Sequence, residues 1–323
     1  MRILSGMRAT GRLHLGHLSV LENWLRLQKD NDCFFFVADW HALTTEFENP
    51  GDIKNYTYEM VADWLAVGID PEKSVVFVQS QVPEHAELHL IFSMFTPLSW
   101  LERVPTYKDQ VRKWAEQGKD ITTYGFLGYP LLQAADILIY LADGVPVGED
   151  QLPHIELCRE VARRFNHLYA PVFPEPQGIL AEVKLVPGID GQKMSKSYHN
   201  VIPLTAAADE IGRLTNQMIT DPARIRKDDL GHPEVCTVFK YHQIYNAEVA
   251  QVEADCRAGK IGCVPCKKRL AGLTEGVLGP VRERRAALTA RKGYVEEVLQ
   301  EGRKKAQRVA AATLDKVRTA LGF

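Results

Sequence analysis

With 323 residues, 46% of them hydrophobic, and a formal net charge of −2, the chain can bury a full core and is expected to divide into two main domains. No apolar run is long enough to span a bilayer, and the opening Met-Arg-Ile-Leu-Ser-Gly lacks a signal-peptide pattern, so a cytoplasmic protein with no membrane partner is expected. Charge is uneven: residues 1–200 hold 18 Lys and Arg against 26 Asp and Glu, residues 201–323 hold 21 against 15, which makes the distal half the better seat for an RNA, with a merely solvated helical surface as the alternative.

An apolar opening (Ile3, Leu4) and a small-residue turn (Ser5, Gly6, Gly11) lead into His14-Leu15-Gly16-His17. A strand that ends in glycine and opens into a helix binds phosphate, because the first helical N–H groups are unpaired and carry positive partial charge. Two imidazoles there can donate hydrogen bonds to charge growing on a phosphate, and Gly16 lets a nucleotide approach the backbone. Leu18, Leu21, Trp24 and Leu25 then make the apolar stripe of a helix. Cys33–Val37 reads as a buried strand whose exit, Ala38-Asp39-Trp40-His41, lies at the carboxyl edge of the sheet, where such proteins bind ligands. A helix near 52–67, a strand over 75–78 and a helix from Pro83 continue the alternation and predict an α/β fold, a Rossmann-like doubly wound parallel sheet. The dinucleotide fingerprint and the Walker loop are both missing from the sequence, which argues against a dehydrogenase or a P-loop enzyme.

Residues 100–119 are amphipathic and charged; Lys108 is either a surface lysine or a cation within reach of triphosphate oxygens. Gly125 to Pro130 is expected to break the chain before an almost wholly apolar helix over Leu131–Leu141, which carries Gln133 and Asp136 on one face. A carboxylate among such neighbours is costly to bury without a donor, and a ligand N–H can be that donor; a core salt bridge is the alternative. An amphipathic helix over Leu152–Leu168, a proline-rich loop and a strand over Glu182–Val186 precede Lys193-Met194-Ser195-Lys196-Ser197, two cations in a loop opened by Pro187, Gly188 and Gly191 and able to close over a triphosphate. Beyond residue 200 the strand pattern gives way to helices near 205–217, 236–257, 264–290 and 293–321, a C-terminal all-helical domain. Within it Cys236, Cys256, Cys263 and Cys266 follow the pattern C-x19-C-x6-C-x2-C; four thiols in a reducing compartment favour a soft metal, either zinc or an iron–sulfur cluster.

The His14–His17 and Lys193–Ser197 segments together resemble the paired signatures of class I aminoacyl-tRNA synthetases. The runs Tyr129–Leu138 and Pro146–Gln151 resemble, more specifically, those of bacterial tryptophanyl-tRNA synthetases. The resemblance runs from Ile3 to about Asn200 and is looser beyond. It implies a ligase that uses ATP with Mg²⁺ to make tryptophanyl-adenylate and moves L-tryptophan to the 3′ end of tRNA(Trp). Tyrosyl-tRNA synthetase and a catalytically idle RNA-binding paralogue are the alternatives. Carried over residue by residue, it implies catalytic roles for His14, His17, Lys193 and Lys196. ATP contacts would fall on Arg8, Ala9, Thr10, Gly16, His17, Lys108, Gly148, Glu149, Asp150, Val183 and the Lys193–Ser197 loop with Met194, Ser195 and Lys196. Tryptophan contacts would fall on His41, Tyr129, Gln133, Asp136 and Gln151, with Asp136 accepting the indole N–H. Three departures stand out: Arg8-Ala9-Thr10 where the family usually has Gln-Pro-Ser/Thr, Gln133 where well-known members have Met, and Gln110 where a lysine often follows Lys-Asp. The resemblance further implies a four-iron, four-sulfur cluster on the four cysteines, with zinc as the alternative, and a homodimer. The expected domains are a catalytic unit over 1–200, a helical anticodon-binding unit over 201–292, and a last helix over 293–323 that packs back on the sheet.

Overall fold

The computed structural model describes residues 1–116, 118–180, 185–195, 198–226 and 228–323. In chain order the elements are β1 (Arg2–Met7), α1 (Leu15–Leu27), β2 (Asp32–Val37), α2 (Asp39–Glu46), α3 (Ile53–Val67), β3 (Ser74–Val78), α4 (Glu84–Ser93), α5 (Leu98–Glu102), α6 (Pro105–Glu116), α7 (Tyr124–Ile139), β4 (Gly144–Val147), α8 (Leu152–Leu168) and β5 (Gln177–Leu180). The distal part is helical: α9 (Ala208–Gln217), α10 (Thr237–Tyr245), α11 (Val249–Arg257), α12 (Cys263–Ala290) and α13 (Tyr294–Leu321). The sheet is parallel throughout, in the order β3-β2-β1-β4-β5, as the alternating pattern predicts.

Successive strand residues face opposite sides of a sheet, and both sides here are covered. Ile3, Cys33, Phe35, Val37, Val76 and Val78 point into one core with α1, α3 and the distal helices; Leu4, Phe34, Phe36, Phe77, Val145 and Val147 point into the other with α4, α7, α8 and α13. In the first core Trp24 stacks on Phe35 at 4.3 Å and meets Trp64 edge-on at 5.0 Å. The same core reaches Val238, Leu270 and Leu278, so apolar burial runs unbroken from the sheet into the helical part.

Three elements differ from the sequence expectation. Helix α7 begins at Tyr124 rather than Leu131: Thr123 caps it by accepting from the Phe126 N–H at 3.1 Å, and Pro130 lies inside it. Burial of Phe126, Pro130 and Leu131 offsets the backbone hydrogen bond that proline cannot make. The expected 236–257 helix is two helices, because Asn246 is extended and its Oδ1 accepts from the Glu248 N–H at 3.0 Å, turning the chain. The last strand is Gln177–Leu180; the expected Glu182–Val186 strand lies mostly outside the described residues.

Two long helices tie the distal part to the sheet. In α12, Arg285 bonds Asp63 at 2.6 Å and Glu59 at 2.7 Å, and Arg284 donates to the Ala66 carbonyl at 2.6 Å, all three on α3. Helix α13 covers the edge strand β3 at close range. A Cβ on Gly302 would stand 1.7 Å from the Val76 carbonyl oxygen, so only glycine allows this approach. Among the described residues no helix is long and apolar enough to cross a membrane.

Gly302→Ala is therefore expected to destabilise the protein. Alanine adds about 1 kcal/mol of helix propensity, but forced displacement of a packed helix costs about 1–3 kcal/mol, and here the clash is with backbone that has no rotamer to escape into. A lower thermal midpoint for Gly302→Ala than for the unaltered chain is the expected result; an equal or higher one would show that α13 can slide on β3 without loss.

Candidate active site

The strand order reverses beside β1: the chain steps outward through β2 and β3, then returns to β4 and β5 on the other side. In an open parallel sheet the crevice outside the carboxyl ends at such a reversal is left free for a ligand. Here β1 and β4 pair at Ile3 and Gly144, and past that pair a cavity of about 420 Å³ opens. Leu4, Ser5, Gly6 and Arg8 form one wall and Val145, Val147 and Gly148 the other, while α2 brings His41 and α7 brings Tyr129, Gln133 and Asp136. Asp150 and Gln151 close the mouth. These positions are scattered through residues 4–151 of the chain; the reversal collects them.

Asp136 is 1% exposed and fully engaged with donors. Gln79 Nε2 and His85 Nδ1 each lie 2.7 Å from its Oδ1, and His41 Nε2 lies 2.8 Å from its Oδ2. Burial alone would push this carboxyl up, but the hydrogen bonds and positive partial charge from His41 and His85 outweigh it and hold the group well below the usual carboxylate range. Asp136 is thus an ionised, acceptor-only group in the cavity wall. Tyr129, also on α7, meets His154 with the rings tilted by 36°, their centroids 5.5 Å apart and the hydroxyl 3.5 Å from Nε2.

A second cavity, about 280 Å³, adjoins the first and shares Arg8 as a wall. It is lined by Thr10, His14, His17, Met194 and Ser195, which brings the two sequence signatures face to face, and by Thr45, Glu46 and Trp114, which sequence reasoning did not single out. His14 ends the extended segment before α1, and its backbone N–H donates to His17 Nδ1 at 3.2 Å, so the two imidazoles lie 3.9 Å apart at the helix N-terminus. Two hydrogen bonds hold described residues beside them: Leu15 N–H donates to the Ile202 carbonyl at 2.8 Å, and the Ser195 N–H donates to Asn200 Oδ1 at 2.8 Å. Arg8 bonds Thr45 on α2; burial lowers its pKa from the ordinary value while the nearby Glu46 opposes that.

The chain matches the family model of class I tRNA synthetases for tryptophan and tyrosine over residues 1–279. The tryptophan–tRNA ligase of Thermotoga maritima is 55% identical over 100% of this chain and 99% of its own length, and that of Aquifex aeolicus is 44% identical over the whole of both. Among solved structures, the tryptophanyl-tRNA synthetase of Campylobacter jejuni, complexed with ADP and tryptophan, superposes with a TM-score of 0.90 at 32% identity over the full length of both chains. The chain belongs to the class I tryptophanyl-tRNA synthetases.

In this synthetase not every expected contact residue faces a cavity. Ala9 is buried in the sheet core; Gly16, Lys108, Glu149 and Lys193 line neither cavity, the last three being exposed. Val183, Lys196 and Ser197 lie outside the described residues. Gln79, His85 and Tyr140, which surround Asp136, were missed altogether. Their only signal was position, polar residues just past a buried strand or inside an apolar helix.

The synthetase's four distal cysteines come from the first residue before α10 (Cys236), the end of α11 (Cys256) and the first turn of α12 (Cys263, Cys266). Burial pushes Cys266 up to about 12, and the nearby Cys236, Cys256 and Cys263 add to it; burial likewise raises Cys236 and Cys256. Gly231 is held against this group, since a Cβ there would stand 2.4 Å from Cys256 Sγ. Among the described residues, no three His, Cys, Asp or Glu side chains are close enough together to hold a single metal ion.

Burial lowers the pKa of His154 from 6.5 to about 4, with His41 adding to the effect. The unfolded chain therefore takes up this proton at a higher pH than the folded one, and stability should rise with pH between about 4 and 6.5. Urea unfolding of the unaltered chain and of His154→Gln at pH 7.5 and pH 5 checks this: the loss on acidification should be smaller in the variant, and equal losses would show that His154 is not held neutral.

Proposed function

We propose that the larger cavity seats tryptophan with its indole edge on Asp136, and that the smaller one seats the phosphates of ATP. The chain is a tryptophan–tRNA ligase, as relatives 40–55% identical over its full length attest; the assignment of residues to steps is our reading. ATP, with its Mg²⁺, is the second substrate. The tryptophan carboxylate attacks the α-phosphorus, the bond from that phosphorus to the bridging oxygen breaks, and pyrophosphate leaves with the electron pair. The ribose hydroxyl at the 3′ end of tRNA(Trp) then takes the tryptophanyl group and releases AMP. No protein nucleophile is needed, so catalysis is positioning plus stabilisation of charge.

His14 and His17 meet the phosphates at the α1 N-terminus, with Arg8, Thr10, Gly16 and the Met194–Ser195 backbone around them. Lys193 and Lys196 are the loop's cations for the phosphates, and Val183 and Ser197 are further nucleotide contacts in this reading; Ala9, which is buried, and Lys108, which lines neither cavity, are not kept as contacts. Gly148, Glu149 and Asp150 hold the nucleoside side; Tyr129 and Gln151 meet the α-ammonium, and His41 and Gln133 the ring. Arg8 carries this reading furthest on the nucleotide side, since one guanidinium borders both cavities at the point where carboxylate and α-phosphate must meet.

The basic part over 201–292 is the anticodon-binding unit in this reading, the part over 1–200 the catalytic unit, and the helix over 293–323 a brace on the sheet. Four cysteines at the ends of α10, α11 and α12, with Cys236, Cys256 and Cys263 near enough to add to the raised Cys266, are the thiol set for a four-iron, four-sulfur cluster in this reading, with zinc as the alternative. Such a group would lock α10, α11 and α12 together and has no part in adenylate chemistry. A cytoplasmic homodimer belongs to the same reading: Leu90, Met94, Leu98 and Tyr124, on or beside α4, α5 and α7, are 55–73% exposed, an apolar surface suited to a second copy.

Amino-acid-dependent ATP–pyrophosphate exchange tests the pocket. Tryptophan alone of the twenty amino acids should drive exchange. Asp136→Asn presents an amide that cannot accept from all three of its donors, so kcat/KM for tryptophan should fall about 100-fold, as for loss of charge-assisted hydrogen bonds of about 1.5–3 kcal/mol each, with the KM for ATP nearly unchanged. Exchange driven by tyrosine would overturn the assignment. For the distal unit, Cys263→Ser should impair tRNA charging and leave exchange largely intact. Protein purified without oxygen should be brown if an iron cluster is held; colourless protein with one equivalent of zinc would decide for zinc.

A further inference from the structure

We propose that Gln79, His85 and Tyr140 form an inner layer that orients the Asp136 carboxylate and so sets the choice of amino acid, with Gln79 and His85 as positioning residues. The inference rests on Asp136 being the acceptor for the ring N–H. None of the three lines the cavity, and each is 0% exposed. Their action on a ligand can only pass through Asp136.

The terminal torsion of an aspartate is broad and nearly two-fold, so covalent geometry does not decide which oxygen faces a ligand. Hydrogen bonding decides it here. An ionised carboxylate offers about four acceptor positions, two per oxygen. Gln79 Nε2 and His85 Nδ1, both at 2.7 Å, fill the two on Oδ1. His41 Nε2, at 2.8 Å, takes one on Oδ2. One position is left, on the oxygen that His41, itself a wall of the cavity, shares. A ring that brings an N–H completes the set; a ring of the same shape without one leaves that position unfilled in a water-poor site.

Two further features lock the layer. His85 Nε2 lies 2.7 Å from the Tyr140 hydroxyl. With Nδ1–H committed to the carboxylate, neutral His85 presents Nε2 as an acceptor and Tyr140 O–H donates to it, which selects the tautomer. Gln79 Oε1 is buried and has no hydrogen-bond partner among the described residues, so its amide orientation is fixed by Asp136 alone: a flip would set two acceptors against each other.

The test compares tryptophan with benzothienylalanine, in which sulfur replaces the ring N–H, by pyrophosphate exchange. The quantity read is the ratio of their kcat/KM values. In the unaltered enzyme tryptophan should be strongly preferred; no preference would overturn the reading of Asp136 itself, whatever the inner layer does. Given that preference, His85→Leu and Gln79→Met should each reduce it about 10- to 100-fold, through KM for tryptophan, with kcat/KM for the sulfur analogue and KM for ATP unchanged. His85→Asn, which keeps a donor near the Nδ1 position, should restore most of it. Tyr140→Phe, smaller by one oxygen, should lower it several-fold and keeps the inference testable if the bulkier changes do not fold. Equal loss for both substrates would mean that the layer only supports the core, and a preference retained in His85→Leu, Gln79→Met or, should those not fold, Tyr140→Phe would overturn the inference.

Discussion

One buried negative charge orders the larger cavity. Asp136 lies on α7 inside an apolar helix, and ionised carboxylates are too costly to bury alone. Its three donors come from three other places: His41 on α2, Gln79 just past β3, and His85 on α4. Satisfying that charge therefore fixes how α2, α4 and α7 stand relative to the sheet edge. It also sets a buried carboxylate into the wall of the larger cavity, beside His41 and Gln133.

The reversal of strand order does the complementary work for the smaller cavity. Because β1 is central and β4 lies on its far side, the ends of both strands open onto a common crevice, and the first helix begins there. His14 and His17 sit at that helix start, while the segment that carries Met194 and Ser195 is bonded back onto it through Ile202 and Asn200. Two signatures about 180 residues apart thus share one cavity of about 280 Å³, and Arg8 joins it to the larger one.

The distal helices are not an independent appendage. Helix α12 spans from the cysteine group at its N-terminus to Arg284 and Arg285, which grip α3 behind the first core, and one apolar cluster runs through both regions. At 28 residues and about 1.5 Å per residue it is a rod of roughly 42 Å. The cysteine end is thus linked through α12 to α3 behind the sheet, while α13 reinforces the edge of β3 through the close approach at Gly302.

The alternation of strands and helices, the parallel sheet, the helical distal half and the two signature segments were legible in the residues alone, since periodicity, turn composition and helix-start chemistry are local properties. Asp136 was legible too, because a carboxylate in an apolar helix demands an explanation wherever it sits. Local rules erred at Pro130, where burial of Phe126 and Leu131 carries α7 through a proline that should have stopped it, and at Asn246, whose side chain turns the chain inside an otherwise helical pattern. They were silent on Gln79, His85 and Tyr140, for these polar residues differ in no local respect from many that point to solvent. Only packing α4 and α7 on one face of the sheet brings their donors to one carboxylate, because hydrogen bonds across 51 and 57 residues of sequence depend on tertiary geometry that no nearest-neighbour pattern encodes.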